Sequence, residues 1–158
     1  WNQGTILKQS LTIYMDVCCL NRPFDDQTQD KIHLETEALV TILKYMKSGK
    51  IKIIGSDIIE FEISKKPDPV RRTNVESFSA FIKKQISTDE QIIKRGKELQ
   101  KAGFKGFDAL HVACAEKAKA KVLLTTDDKL IKLASRNRNL LSIKVDNPLN
   151  WVQENLLK

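Results

Sequence analysis

Short apolar runs set between stretches of helical periodicity constrain this chain more than any other feature. "LTIYM" (Leu11–Met15) and "KVLL" (Lys121–Leu124) lack polar alternation, so each reads as a strand buried on both faces. "KIKIIG" (Lys50–Gly55) and "LLSIKV" (residues 140–145) read as two more. Between the first pair, Ile32, Ala38, Leu39, Ile42, Leu43 and Met46 recur at helical spacing from about Gln29 to Ser48, and Gly49 supplies the stop. Ser56 reads as the N-cap of a short helix running through Glu62 to about Lys65. Pro67 and Pro69 break it, and a new helix after Pro69 carries Val75, Phe78 and Ile82. Thr88 to Gln91 has the form of a capping box opening a helix that ends near Gly103. Phe107–Lys119, Lys129–Arg138 and Pro148–Leu157 complete the helices. Strands separated by helices predict an α/β fold in three layers: a parallel sheet of four or five strands with helices on both faces.

The composition, 41% hydrophobic and 30% charged over 158 residues, is that of a globular domain, and no apolar run is long enough to span a bilayer. The opening "WNQGTILKQS" has none of the features of a signal peptide. Residues 1–10 are expected to be an extension outside the fold, residues 11–158 a single domain, and the location cytoplasmic. Cys18, Cys19 and Cys114 cannot build a disulfide framework, which agrees with a reducing compartment. The formal charge of +7 favours an anionic partner, most commonly nucleic acid.

In open parallel sheets reactive groups gather beyond the carboxyl ends of the strands. Asp16 follows the first strand, and Asp127 with Asp128 follows Val122–Leu124. Asp108 lies in the first turn of a helix, and Glu62 lies on the short helix after the second strand. All could reach one rim. Carboxylates so gathered repel each other and need bound cations or raised pKa values. Oxygen-only ligands suit a hard ion such as Mg²⁺ or Mn²⁺. Each residue also has a plainer role: Asp108 stabilising a helix terminus, Asp127 capping the next helix, Asp16 ending a strand. Spacing alone leaves both accounts standing.

The same residues carry a resemblance. Asp16 after the first strand, "SDIIEFEI", "FDALHVACA" and "LLTTDD" resemble, in that order, the acidic motifs of PIN domains, over about Leu11 to Val152. "DALHVACA" followed by "LLTTDD" is the more specific part, and "DVCCLNRPFDD" is similar to the opening of a bacterial branch of PIN proteins. The resemblance implies a PIN-like fold and a Mg²⁺- or Mn²⁺-dependent ribonuclease, a class that includes toxins of toxin–antitoxin pairs. It implies Asp16, Glu62, Asp108 and Asp127 as the catalytic, metal-binding set, with Asp128 assisting and Glu60 as the substitute for Glu62. RNA as substrate, a cognate antitoxin and a homodimer are the partners it implies. One departure stands out: many toxin-type members have Thr-Ser after the first Asp, whereas this chain has Val17-Cys18. A thiol is a poorer hydrogen-bond partner than a hydroxyl, so the rim hydroxyl would fall to Thr125 or Thr126. A catalytically weak module that binds RNA or a protein is the alternative.

Asn21, Arg22, Ser56, Thr125 and Thr126 are the candidate substrate contacts. The Arg22 fork matches a phosphate, and a salt bridge to Asp25 or Asp26 is the competing use. Zinc at Cys18 and Cys19 lacks suitable spacing and a second ligand pair, so packing is the better account of both. His111 follows Asp108 by one helical turn and is expected to be a hydrogen-bonded core residue; Phe104 and Phe107 are also expected in the core. The pairs Lys65-Lys66, Arg71-Arg72, Lys83-Lys84 and Lys94-Arg95 would form a positive rim that draws RNA, or ordinary solvated helix faces. A receiver-type domain needs an early acidic pair, and a haloacid-dehalogenase-type phosphatase needs Asp-x-Asp after strand one. The chain has neither, and it lacks a Gly-rich phosphate loop.

Overall fold

The computed structural model describes residues 11–82 and 84–157, so the expected extension at residues 1–10 lies outside the described residues. Five strands, β1 (Leu11–Met15), β2 (Ile51–Ser56), β3 (Lys84–Ile86), β4 (Val122–Leu124) and β5 (Lys144–Asp146), form one sheet in the order β3-β2-β1-β4-β5. Every pairing is parallel, and Ile13 of β1 sits opposite Ile53 on one side and Val122 on the other. Ile13, Tyr14, Met15 and Val122 to Leu124 are buried, as strands covered on both faces must be.

Eight α-helices are described: α1 (Val17–Asn21), α2 (Asp30–Lys47), α3 (Asp57–Ser64), α4 (Pro69–Ser79), α5 (Glu90–Lys101), α6 (Gly106–Lys117), α7 (Asp128–Arg136) and α8 (Pro148–Asn155). α2 buries Ala38, Leu39 and Ile42 and packs against α8, whose Trp151 and Val152 are also buried. α5 and α6 form a tight pair: a Cβ added at Gly96 would stand 3.1 Å from Leu110 Cδ2. Short polar residues start most helices. Asp16, Ser56, Asp68, Asp89, Asp127 and Asn147 each accept a hydrogen bond from a first-turn N–H.

Several expectations need correcting. Thr88 does not open α5; its hydroxyl and N–H both donate to Asp57, at 2.6 and 2.9 Å, and the cap passes to Asp89. Ile82 is buried but lies beyond the end of α4. The last strand starts at Lys144 rather than residue 140. Leu140 O and Ser142 N–H are held off the sheet by Arg95 and Glu116. α1 and the short β3 were not anticipated.

The chain builds outward from β1 to β2 to β3, then returns to lay β4 against the other side of β1 and β5 beyond it. Strand order therefore reverses between β1 and β4. The crevice beyond their carboxyl ends is where such sheets place their reactive groups.

Candidate functional site

Asp16 and Asp127 leave the ends of these two neighbouring strands. The Asp16 backbone N–H donates to Leu124 O at 3.2 Å, extending the β1–β4 pairing, and its side chain caps α1 by accepting from Cys19 N–H. Asp16 is 2% exposed. Burial pushes its carboxyl up from 3.8 to about 6, with His111, the Thr125 hydroxyl and the Cys19 N–H opposing and Asp108 adding to the rise. Thr125 is buried, its hydroxyl favours the charged form of Asp16, and it accepts from Asp127 N–H at 3.1 Å, so one hydroxyl lies between the two carboxylate segments. Asp127 caps α7 through Lys129 and Leu130 N–H, which leaves its second oxygen outside the cap.

Asp108, in the first turn of α6, is half-buried. Burial raises its carboxyl, His111 and Lys105 oppose, and Asp127 and Glu62 push it further up. Glu62 on α3 accepts from His111, with Nε2 2.7 Å from Oε1. Glu60 turns to a different cleft, beside Ile63, Glu76 and Ser79. Cys18 registers the whole group. Burial first, then the charges of Asp16, Asp127, Glu62 and Asp108, hold its thiol far above the usual range. Four carboxylates from four segments thus lie within electrostatic reach of one side chain, and that thiol stays protonated and unreactive. Cys114, at about 11, is likewise kept a thiol, chiefly by burial.

The support beneath Glu62 was not anticipated. The Tyr14 hydroxyl lies 2.7 Å from both Ser56 Oγ and His111 Nδ1. A carboxylate only accepts, so His111 Nε2–H donates to Glu62. In the neutral ring Nδ1 then accepts from Tyr14, whose oxygen accepts from Ser56. Ser56 Oγ also accepts from Ile59 N–H at the start of α3. Burial, reinforced by nearby Cys114, Asp16 and Glu62 against the Ser56 hydrogen bond, keeps the phenol protonated. His111 is therefore the hydrogen-bonded core residue expected, and it also positions a site carboxylate. Its spacing from Asp108 was the available signal.

Other candidates are placed differently. Ser56 is wholly buried, with its hydroxyl engaged in this chain, so it offers no substrate contact. Asp128 is exposed and ion-paired to Lys31 at 2.8 Å. Arg22 takes its competing use: Nη1 meets Asp25 and Nε lies 3.1 Å from Glu35, off-line for a hydrogen bond. Asn21 Nδ2 donates to Val17 O, and the Asn21 backbone carbonyl accepts from Arg71. Thr126 is buried beside Thr125. Cys19 is buried as expected, whereas Cys18 is partly open. Phe104 is buried, but Phe107 is exposed, at the rim in the first turn of α6.

Part-desolvated oxygen donors that repel one another fit a hard divalent cation. Among the described residues no three His, Cys, Asp or Glu side chains group closely enough to hold a metal ion between them.

The PIN domain family model matches residues 41–136, more than half of the chain. No curated protein matches it. Among solved structures, FitAcB from Neisseria gonorrhoeae is 13% identical, with 86% of this chain and 97% of that chain covered at a TM-score of 0.54. VapBC2 from Rickettsia felis, bound to a DNA fragment from their promoter, is 13% identical over 87% and 98% at 0.54. VapBC-1 from nontypeable Haemophilus influenzae is 13% identical over 87% and 98% at 0.55. At that identity the likeness is one of fold. Taken with the family match, it leads to one conclusion: this chain belongs to the PIN-domain family.

Proposed function

We propose that this PIN domain is a Mg²⁺- or Mn²⁺-dependent ribonuclease that hydrolyses phosphodiester bonds. What supports the reading is the electrostatic coupling of the acidic set: burial raises the Asp16 and Asp108 carboxyls, Asp108 adds to the rise at Asp16, and Asp127 and Glu62 add to it at Asp108. These four residues would hold the ion. When bound, it supplies charge screening of the phosphate and acidification of a water. The chain's own residues set the geometry: the Cys19 N–H holds Asp16, His111 fixes Glu62, and Lys105 offsets the charge of Asp108. The solved structures of like fold carry the paired names VapBC and FitAcB, which supports a cognate antitoxin as partner. A homodimer in the cytoplasm belongs to the same reading, in keeping with three free cysteines.

Asp16→Asn and Asp108→Asn should each abolish Mn²⁺-dependent cleavage of single-stranded RNA while circular dichroism stays native. Unchanged cleavage by both variants overturns the assignment. A second reading, an inactive RNA- or protein-binding module, is favoured by the Cys18 thiol at the rim. It predicts RNA binding in chelator with no Mn²⁺-dependent cleavage by the wild type.

A further inference from the structure

Two phenylalanines stand exposed beside the carboxylates. Phe61 on α3 is 50% exposed and Phe107 on α6 is 39% exposed. Their ring centroids are 6.0 Å apart with 52° between the planes. Phe61 directly precedes Glu62 and Phe107 directly precedes Asp108, so each ring sits one residue, about 100° around its helix, from a site carboxylate. Lys65 Nζ lies 4.8 Å from the Phe61 centroid, and the exposed Lys105 lies two residues before Phe107.

What sets these two rings apart from the other exposed apolar side chains is that they lie against each other and form one small patch. Half-exposed, the two present on the order of 200 Å² between them, given about 200 Å² per full aromatic side chain. A stable protein interface needs about 800 Å² on each partner. The patch is too small for that and the right size for one or two nucleobases. Its cations point the same way: an ammonium over a ring can move to a phosphate while a base takes its place on the π face. Because the planes are tilted, one base cannot lie flat on both rings, so successive bases of a bent strand would meet them in turn.

We propose that Phe61 and Phe107 form a stacking platform for unpaired nucleobases of single-stranded RNA, with Lys65 and Lys105 contacting the flanking phosphates. The platform deepens the nuclease reading and rests on it for the position of the scissile phosphate. It makes an unpaired strand, rather than a duplex, the substrate class, because paired bases keep their faces inside the stack.

Binding is measured in chelator, so that no cleavage enters the result. The probes are a fluorescein-labelled short oligoadenylate and the same strand annealed to its complement. Phe61→Leu and Phe107→Leu keep an apolar side chain but remove the π face. Each should weaken single-strand binding roughly 5- to 150-fold, the range for one stacked base, with little effect on the duplex. Phe61→Trp should restore or tighten binding. Three results overturn the platform: equal single-strand affinity in the leucine variants, an equal loss on the duplex, or no binding of the oligoadenylate by the wild type. A switch from dimer to monomer in sedimentation with RNA affinity unchanged also overturns it, by assigning the rings to a self-interface. Ring-dependent binding without any Mn²⁺-dependent cleavage would sink the nuclease reading alone. Cleavage with ring-independent binding would sink the platform alone.

Discussion

Asp16 is held where a carboxylate is uncomfortable, and the discomfort can be measured. Its carboxyl rises from 3.8 to about 6, chiefly through burial, so between those values the folded chain keeps a proton that the unfolded chain has released. The contribution of Asp16 to metal-free stability is therefore full below about pH 4 and is lost as pH rises through about 6. Asp16→Asn removes the ionisable group and keeps an N-cap oxygen. In chelator at neutral pH it should stabilise the protein by about 3 kcal/mol, and below about pH 4 by almost nothing. Urea melts across that range test this, and equal stability of the two proteins at neutral pH refutes it. Tyr14→Phe strips the hydroxyl that links Ser56 to His111 and should destabilise by about 1–3 kcal/mol. It should also slow Mn²⁺-dependent cleavage while leaving RNA binding in chelator intact, as separate melts and binding titrations would show. Asp16 was legible because an apolar run stops on it. The Tyr14–His111–Glu62 chain was not, since its members are far apart in sequence and each passes for ordinary core or surface.

Among the elements, α5, α6 and the segment leading to β5 share one joint. Glu116 pairs with Arg95 at 2.8 and 3.1 Å and accepts from the N–H and hydroxyl of Ser142. Burial alone would raise this carboxyl, but Arg95 and Ser142 outweigh it and hold it below its usual value. That stability is complete above the ordinary carboxylate range and is lost as pH falls through the lowered value. Glu116→Gln should destabilise by about 2 kcal/mol at neutral pH and flatten the loss of stability between about pH 5 and pH 3. Denaturant midpoints at several pH values check both. This joint also explains why β5 was expected too early: "LLSIKV" reads as a strand, yet side chains on α5 and α6 hold its first half away from the ladder. Thr88 was misread for a similar reason, because Asp57 captures its hydroxyl across the fold. β3 has three residues and an exposed pattern, too little for periodicity to register. The long α2, with its regular apolar stripe, was plain from the start.

Across the whole molecule, several of the basic pairs singled out in the sequence are committed within the fold. Arg71 is tied to Asp25, Arg72 to Lys66 O and Arg95 to Glu116, while Lys83 lies outside the described residues. Of those pairs, the exposed Lys65, Lys84 and Lys94 face outward. RNA affinity should fall with salt on a log–log slope of about −2 to −3, for three or four phosphate contacts. Lys65→Gln should make that slope shallower by about 0.7, whereas Arg71→Gln should lower stability and leave the slope alone. Binding titrations at several salt concentrations separate the two. The layered α/β plan was legible because strand and helix periods alternate cleanly; which basic residues face outward was not, because ion pairing is decided between segments. The reversal of strand order has a temporal meaning as well. A growing chain that has folded as far as β3 holds Asp16 and Glu62 but neither Asp108 nor Asp127, so half of the acidic set has yet to be synthesised. The acidic set is complete only once β4 slots in beside the first strand.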